Sequence, residues 1–190
     1  MEDLYITERT FDKVDFTKIP LPAGEYEHCD FSNCDFSNTN LGGIVFTSCA
    51  FNGCNMSMAK LTQTAFREVR FAGCKMLGLH FESCNRFGLT YTFEHCTLNH
   101  ASFYGVKMTK TIFRNVQLHE VDFTDCDMSG AVLDNCDLSG STFDHTNLEK
   151  ADLRTAYNYS VHPENNKIKK AKFSMPGLTG LLDRYGIIIG

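Results

Sequence analysis

Large apolar residues recur at every fifth position along most of the chain. From Phe11 the steps land on Phe16, Leu21, Tyr26, Phe31, Phe36, Leu41, Phe46, Phe51, Met56, Leu61, Phe66, Phe71, Met76 and Phe81, with no polar residue among them. The register then slips by two residues. It resumes at Phe93 and runs through Leu98, Phe103, Met108, Phe113, Leu118, Phe123, Met128, Leu133, Leu138, Phe143, Leu148 and Leu153. Fourteen of the 16 phenylalanines lie on these two ladders, so the period governs where the aromatic mass goes.

A period of five suits neither ordinary element. On an α-helix five steps of ~100° leave successive apolar residues ~140° apart, and the stripe winds round the cylinder. On a flat strand, five steps reverse the face each time. The pattern is satisfied if the chain turns a corner every five residues and each coil pairs with the coils above and below it, ~4.8 Å away. Two residues before each centre, alternation demands a second inward side chain in a crowded slot. Those positions hold Cys29, Cys34, Thr39, Ile44, Cys49 and Cys54 early in the chain, and Val121, Cys126, Ala131, Cys136, Ser141 and Thr146 later, nearly all small or β-branched. All nine cysteines occupy such slots, so packing accounts for them without disulfides or metal. The residue between is often polar, as at Asp30, Asp35, Asn40, Asp122, Asp127, Asp137 and Asp152.

Runs such as CDFSN-CDFSN-TNLGG and CDMSG-AVLDN-CDLSG-STFDH-TNLEK-ADLRT resemble the pentapeptide-repeat family over roughly residues 9–173. The resemblance implies an all-β solenoid, a right-handed quadrilateral β-helix with four sides per coil. From the residues alone three sides or four remain open, although Phe173 returning to phase twenty residues after Leu153 favours four. The expected organisation is a solenoid over 1–173 and a C-terminal cap over 174–190. Within the solenoid, the phase break at 82–92 reads as a bulge or loop over Asn85–Thr92, with Arg86 falling on a centre position, and 158–172 as an irregular last coil. In the cap, Pro176 opens a short helix that Gly186 stops, and Gly186–Gly190 reads as a strand.

Charge is segregated behind a net value of −5. Residues 61–118 carry seven bases against three acids, whereas 119–153 carry nine acids and one base, Lys150. An acidic block is the reverse of what direct nucleic-acid binding needs, and no apolar run approaches the ~20 residues of a membrane span. With Glu2 and Asp3 following Met1, no signal peptide is read and the cytoplasm is the expected compartment. No phosphate loop, HExxH or GxSxG motif appears, and His28-Cys29 and His95-Cys96 are neighbours whose side chains point to opposite faces. The reading is a protein with no catalytic, cofactor or metal site.

The outer surface is therefore where function is sought. With four sides, Asp122, Asp125 and Asp144 share one face, and Asp127, Asp137 and Asp152 add neighbouring ones. The segments TAFREVRFAGCKMLG, SFYG, NKIKKAKFSMP and LLDRYGIIIG are similar to the branch containing the Qnr-type quinolone-resistance proteins and the albicidin and microcin self-protection proteins. That resemblance implies a DNA mimic that binds DNA gyrase or topoisomerase IV and protects it from quinolone-like inhibitors or toxins. The loop residues Asn85, Arg86 and Phe87 are candidate partner contacts. Leu181, Leu182, Tyr185, Ile187, Ile188 and Ile189 form the expected homodimer seam. A general protein-interaction scaffold with no topoisomerase role is the rival reading.

Overall fold

The computed structural model describes residues 4–188. Its chain winds as a four-sided solenoid of parallel strands, and the pairing register gives the coil length directly. Tyr26 lies over Ile6, Phe46 over Tyr26 and Phe66 over Phe46, a step of twenty residues on the first face. On the second face the column runs Phe11, Phe31, Phe51, Phe71, Phe93, Phe113 and Leu133, and only the step from Phe71 to Phe93 is twenty-two. Isolated bridges carry the third face, through Asp35, Asn55, Lys75, Thr97, Gln117 and Asp137. The fourth passes through His80, Ser102, Asp122 and Thr142. The last coil keeps the step of twenty despite its irregular sequence, since Lys167 pairs with Asn147 and Lys172 with Asp152.

Inside, like residues stack on like. The phenylalanines of the second face form one pile, with ring centroids 4.8, 4.7, 5.2, 5.4 and 5.1 Å apart from Phe11 to Phe113. Phe81, Phe103, Phe123 and Phe143 make a second pile on the fourth face. Burying each such ring is worth roughly 1.5–3 kcal/mol, and each stacked pair ~0.5–1.5 kcal/mol beyond that. The slots do more than fit: the Cys49, Cys54 and Cys74 thiols point at the carbonyls of Tyr26, Phe31 and Phe51, 23 residues back and one coil below, each at 3.3 Å. Thr64 and Thr146 hydroxyls donate to Leu41 and Phe123 carbonyls in the same way, at 2.8 Å. A slot residue must be small, and a weak donor there gains a carbonyl partner.

The corners impose a constraint that the apolar ladder does not reveal. Two residues after most centres the backbone passes through positive φ, at Glu8, Lys13, His28, Asn33, Asn38, Gly43, Ser48, Gly53 and onward to Lys170, with Lys18, Ala23, Ser83 and Thr155 among the exceptions. Glycine occupies only some of these positions, and most corners hold a side chain there. A residue with a Cβ gives up ~1–2 kcal/mol in that conformation, which inter-coil hydrogen bonds and ring burial must offset.

The phase break is smaller than the sequence reading of Asn85–Thr92. Tyr91 and Thr92 already belong to the strand Tyr91–Glu94, which pairs with Val69–Ala72. Only Asn85–Thr90 leaves the wall, tied at both ends by Asn85 N–H to Thr64 O at 2.9 Å and Thr90 N–H to Phe66 O at 2.9 Å. Arg86 does not take the centre; it is exposed, and Leu89 packs against the core instead. Beside it, the buried Tyr91 takes a slot that elsewhere in its column holds Cys, Val, Thr or Ala.

At the C-terminus, Pro176–Leu178 and Asp183–Tyr185 are 3-10 turns flanking one α-helical turn at Thr179–Leu182, and Gly186 closes it at φ 61°. This cap sits directly on the last coil: Val161 N–H donates to Gly180 O at 2.8 Å, and a Cβ at Gly180 would lie 2.1 Å from Tyr159 O. The expected strand over Gly186–Gly190 is not formed at Ile187 and Ile188. Ile189 lies outside the described residues.

Two outcomes follow from the corners and the slots. Lys110→Val, at a corner with φ 60°, should cost ~1–2 kcal/mol in a urea melt, whereas the equally exposed Lys107→Val on the wall should stay within ~0.5 kcal/mol. Burial pushes the thiols of Cys49, Cys84 and Cys136 up to about 12. A folded-state value above the unfolded one means full stability below the ordinary thiol range of ~8.5, and loss as pH climbs toward the folded value. Melts should therefore hold steady to about pH 8.5 and then fall, and Cys49→Ala with Cys136→Ala should flatten that fall.

Candidate interaction surface

The six acids picked from the sequence are spread over all four sides. Asp122 and Asp144 lie on the fourth face and Asp125 at the corner beside them, while Asp127 lies on the first, Asp137 on the third and Asp152 on the second. Only the fourth face collects them in a column, which runs from Asp122 and Asp125 to Asp144 and reaches Glu164, where Tyr185 Oη donates at 2.8 Å. Asp125 also sits beside the Tyr104 hydroxyl and raises its pKa.

Four of the six have a local task that sequence reasoning missed. Asp122, Asp127, Asp137 and Asp152 each accept the backbone N–H two residues on, from Thr124, Ser129, Ser139 and Arg154, at 2.9–3.2 Å. Asp15, Asp35, Asn40, Asn55 and Asn147 do the same. These are Asx turns, in which a side-chain oxygen stands in for a backbone acceptor and fixes the start of the corner. They fall where the wall makes isolated bridges rather than three-residue strands. Part of the signal was present: Asp or Asn precedes the centre at each of these turns and Val45, Ala50, Thr92, Ile112 and Val132 in strands, although Asp30 precedes Phe31 in a strand, and Lys75, Thr97 and Gln117 precede centres at bridges.

Several acids are held ionised by partners within the molecule. Desolvation pulls Asp137 upward, but hydrogen bonds from Ser139, Asn158 and His119 outweigh it and bring it to about 2. Asp152, hydrogen-bonded by Arg154 and near Lys172, is likewise lowered to about 2. On the second face the charges interlock up the sheet: Arg70 to Glu94 at 2.7 Å, Glu94 to Arg114 at 3.9 Å, Arg114 to Asp134 at 3.4 Å. That face presents little net charge to a partner.

At the loop, Asn85 Oδ1 accepts from Phe87 N–H at 2.9 Å, so Asn85 shapes the turn and Phe87 is presented by it. Phe87 is 79% exposed, and Arg86 lies beside it in solvent. In the cap, Leu181 packs against the core and Leu182 is half-buried, whereas Tyr185, Ile187 and Ile188 are 53%, 55% and 99% exposed. Among the described residues, no group of His, Cys, Asp or Glu side chains is placed to hold a metal ion, and no helix is long and apolar enough to cross a membrane. All nine cysteines are buried and free.

A family model described as a pentapeptide repeat region matches residues 24–103, 44–123, 79–153 and 96–173 in overlapping placements. No curated protein matches the chain in sequence. Among solved structures, a trypsin-treated form of QnrB1, a plasmid-mediated fluoroquinolone resistance protein, is similar at TM-score 0.64 and 19% identity, covering 99% of this chain and 100% of that one. A second trypsin-treated form gives 0.63 at 19% identity, with 99% and 98% covered. Full-length QnrB1 gives 0.50 at 19% identity, covering 96% of this chain and 100% of that one.

Because Asp127 serves its own turn, Asp127→Ala should lower stability by ~0.5–2 kcal/mol, as loss of a helix N-cap does, while Asp127→Asn should cost only a few tenths. Paired thermal melts at equal ionic strength check this. Equal losses for both would assign the effect to charge rather than to the turn.

Proposed function

The chain belongs to the pentapeptide-repeat family, and from that premise we propose that it is a non-enzymatic, protein-binding solenoid that occupies the DNA-binding surface of DNA gyrase or topoisomerase IV and protects it from quinolone-like inhibitors or toxins. The observation that carries this reading is the end-to-end likeness of the fold, cap included, to a fluoroquinolone resistance protein. The acidic column of the fourth face supports it. Asp122 and Asp125 stand one coil from Asp144 along one side, a step of ~4.8 Å that matches only loosely the ~3.4 Å phosphate spacing of one DNA strand. In this reading the protein works in the cytoplasm and binds no nucleic acid itself. It pairs with a second copy through Leu181, Leu182, Tyr185, Ile187 and Ile188, with Ile189 beyond the described part.

One observation favours the rival, a general interaction scaffold. The second-face charges cancel through their ion-pair ladder, so the rod is less uniformly anionic than a duplex.

The two readings separate in a gyrase supercoiling assay with and without a quinolone, titrated with this protein. The topoisomerase reading expects altered supercoiling or drug protection. It also expects Asp122→Asn, Asp125→Asn and Asp144→Asn together to weaken the effect, by a margin that narrows as salt rises and screens the wild-type charges. Asn keeps the Asp122 turn acceptor and suits the positive φ at Asp125, so melting should hardly move. A wild type with no effect on either enzyme leaves the scaffold reading.

A further inference from the structure

The first face carries a second, opposite surface around the loop. Arg67 stands one coil below the loop, Arg86 and Phe87 lie in it, and Lys107 and Lys110 stand one coil above. None of these four cations has an ion-pair partner among the described residues. The contrast is with Arg70, Arg114, Arg154 and Lys172 on the second face, all paired to carboxylates. Arg67 Nε is buried with no hydrogen-bond partner, while its guanidinium carbon sits 5.7 Å from the Phe87 ring centroid. Arg86 reaches the opposite way, its Nη2 3.9 Å from where a Cβ on Gly105 would be, beside the half-exposed Tyr104.

The loop is held in place before any partner arrives. Both ends are hydrogen-bonded to the coil below, Asn85 locks the turn, Gly88 supplies φ 69°, and Leu89 anchors it to the core. An exposed aromatic on a fixed turn, flanked by arginines, has the composition of a binding hot spot, with little ordering entropy left to lose.

We propose that Arg67, Arg86, Phe87, Lys107 and Lys110 form a docking surface for an acidic protein segment, with Phe87 entering an apolar slot and the cations meeting its carboxylate rim. This rests on the reading that the outer surface binds protein, and not on a topoisomerase being that protein. The extent of the patch sets the class of partner. Its cations span two coil steps, ~10 Å, and the same face turns acidic beyond them, at Glu27 on one side and Asp127 and Glu149 on the other, with Glu68 following Arg67 at the lower edge. A nucleic-acid duplex laid along this face would meet those carboxylates, whereas a compact acidic segment would not.

The test uses the full chain and two labelled probes, a short peptide alternating glutamate and leucine and a short DNA duplex, read by fluorescence anisotropy. The peptide should bind, more weakly as salt rises. Phe87→Ala, and separately Arg86→Gln with Lys107→Gln and Lys110→Gln, should each weaken it by about tenfold or more. Melting should stay unchanged, because these side chains are exposed. No peptide binding, binding indifferent to both variants, or tighter binding of the duplex overturns the proposal. A negative supercoiling assay alongside a positive peptide result removes the topoisomerase and leaves this surface standing.

Discussion

At most of its corners, five residues apart, the backbone must turn through the left-handed region, and the rest of the molecule is arranged to make that tolerable. Glycine relieves it at Gly43, Gly53 and Gly130, but Met58, Gln63, Lys110 and Glu120 bear it with a full side chain. What holds them is cooperative. Each coil is hydrogen-bonded to its neighbours through the wall, and each inward ring rests on the ring below, so no corner can relax without opening the wall on both sides of it. Asx turns at Asp122, Asp127, Asp137 and Asp152 add a local lock where the wall is least strand-like. Stability of this kind is the sum of nearly equal neighbour interactions, as in other stacked-repeat architectures.

That arrangement also divides the surface. Outward side chains are set on a fixed grid, so charge on one face does not spread to the next. The second face cancels itself through the Arg70–Glu94–Arg114–Asp134 ladder, the fourth keeps an acidic column, and the first is basic around its loop. A net charge of −5 describes none of these faces. The proposed functions depend on which face a partner meets, and the rigid wall keeps those faces from exchanging.

The inward half of this design was legible in the sequence because a buried centre tolerates so few residues. Phe31, Phe51 and Phe71 announce themselves at any level of inspection, and Cys34, Cys54 and Cys74 confirm the slot beside them. The outward half was not. Arg86 falls on a counted centre, yet Leu89 is the residue turned in, since two inserted residues shift the count at the point where the wall is already open. Corner conformations were hidden because glycine marks only a minority of them. Asp127 and Asp137 read as surface charge because one carboxylate can face solvent and still accept a backbone N–H. The cap divides similarly: Pro176 and Gly186 mark its ends, while the closeness of Gly180 to Tyr159 depends on a contact across just over a whole coil.

The step of twenty residues between superposed neighbours has a consequence for how such a chain can change its length. Removing or duplicating a block of that size returns every centre, slot and corner to an equivalent place, and the ladder closes over the seam. A change of five or ten residues would rotate everything downstream by one or two faces, carrying the cap and the acidic column to another side. A change of two is absorbed only by expelling a loop, as happens between Asn85 and Thr90. Viable relatives of this architecture should therefore come in quantised lengths, with the odd residues gathered into protrusions.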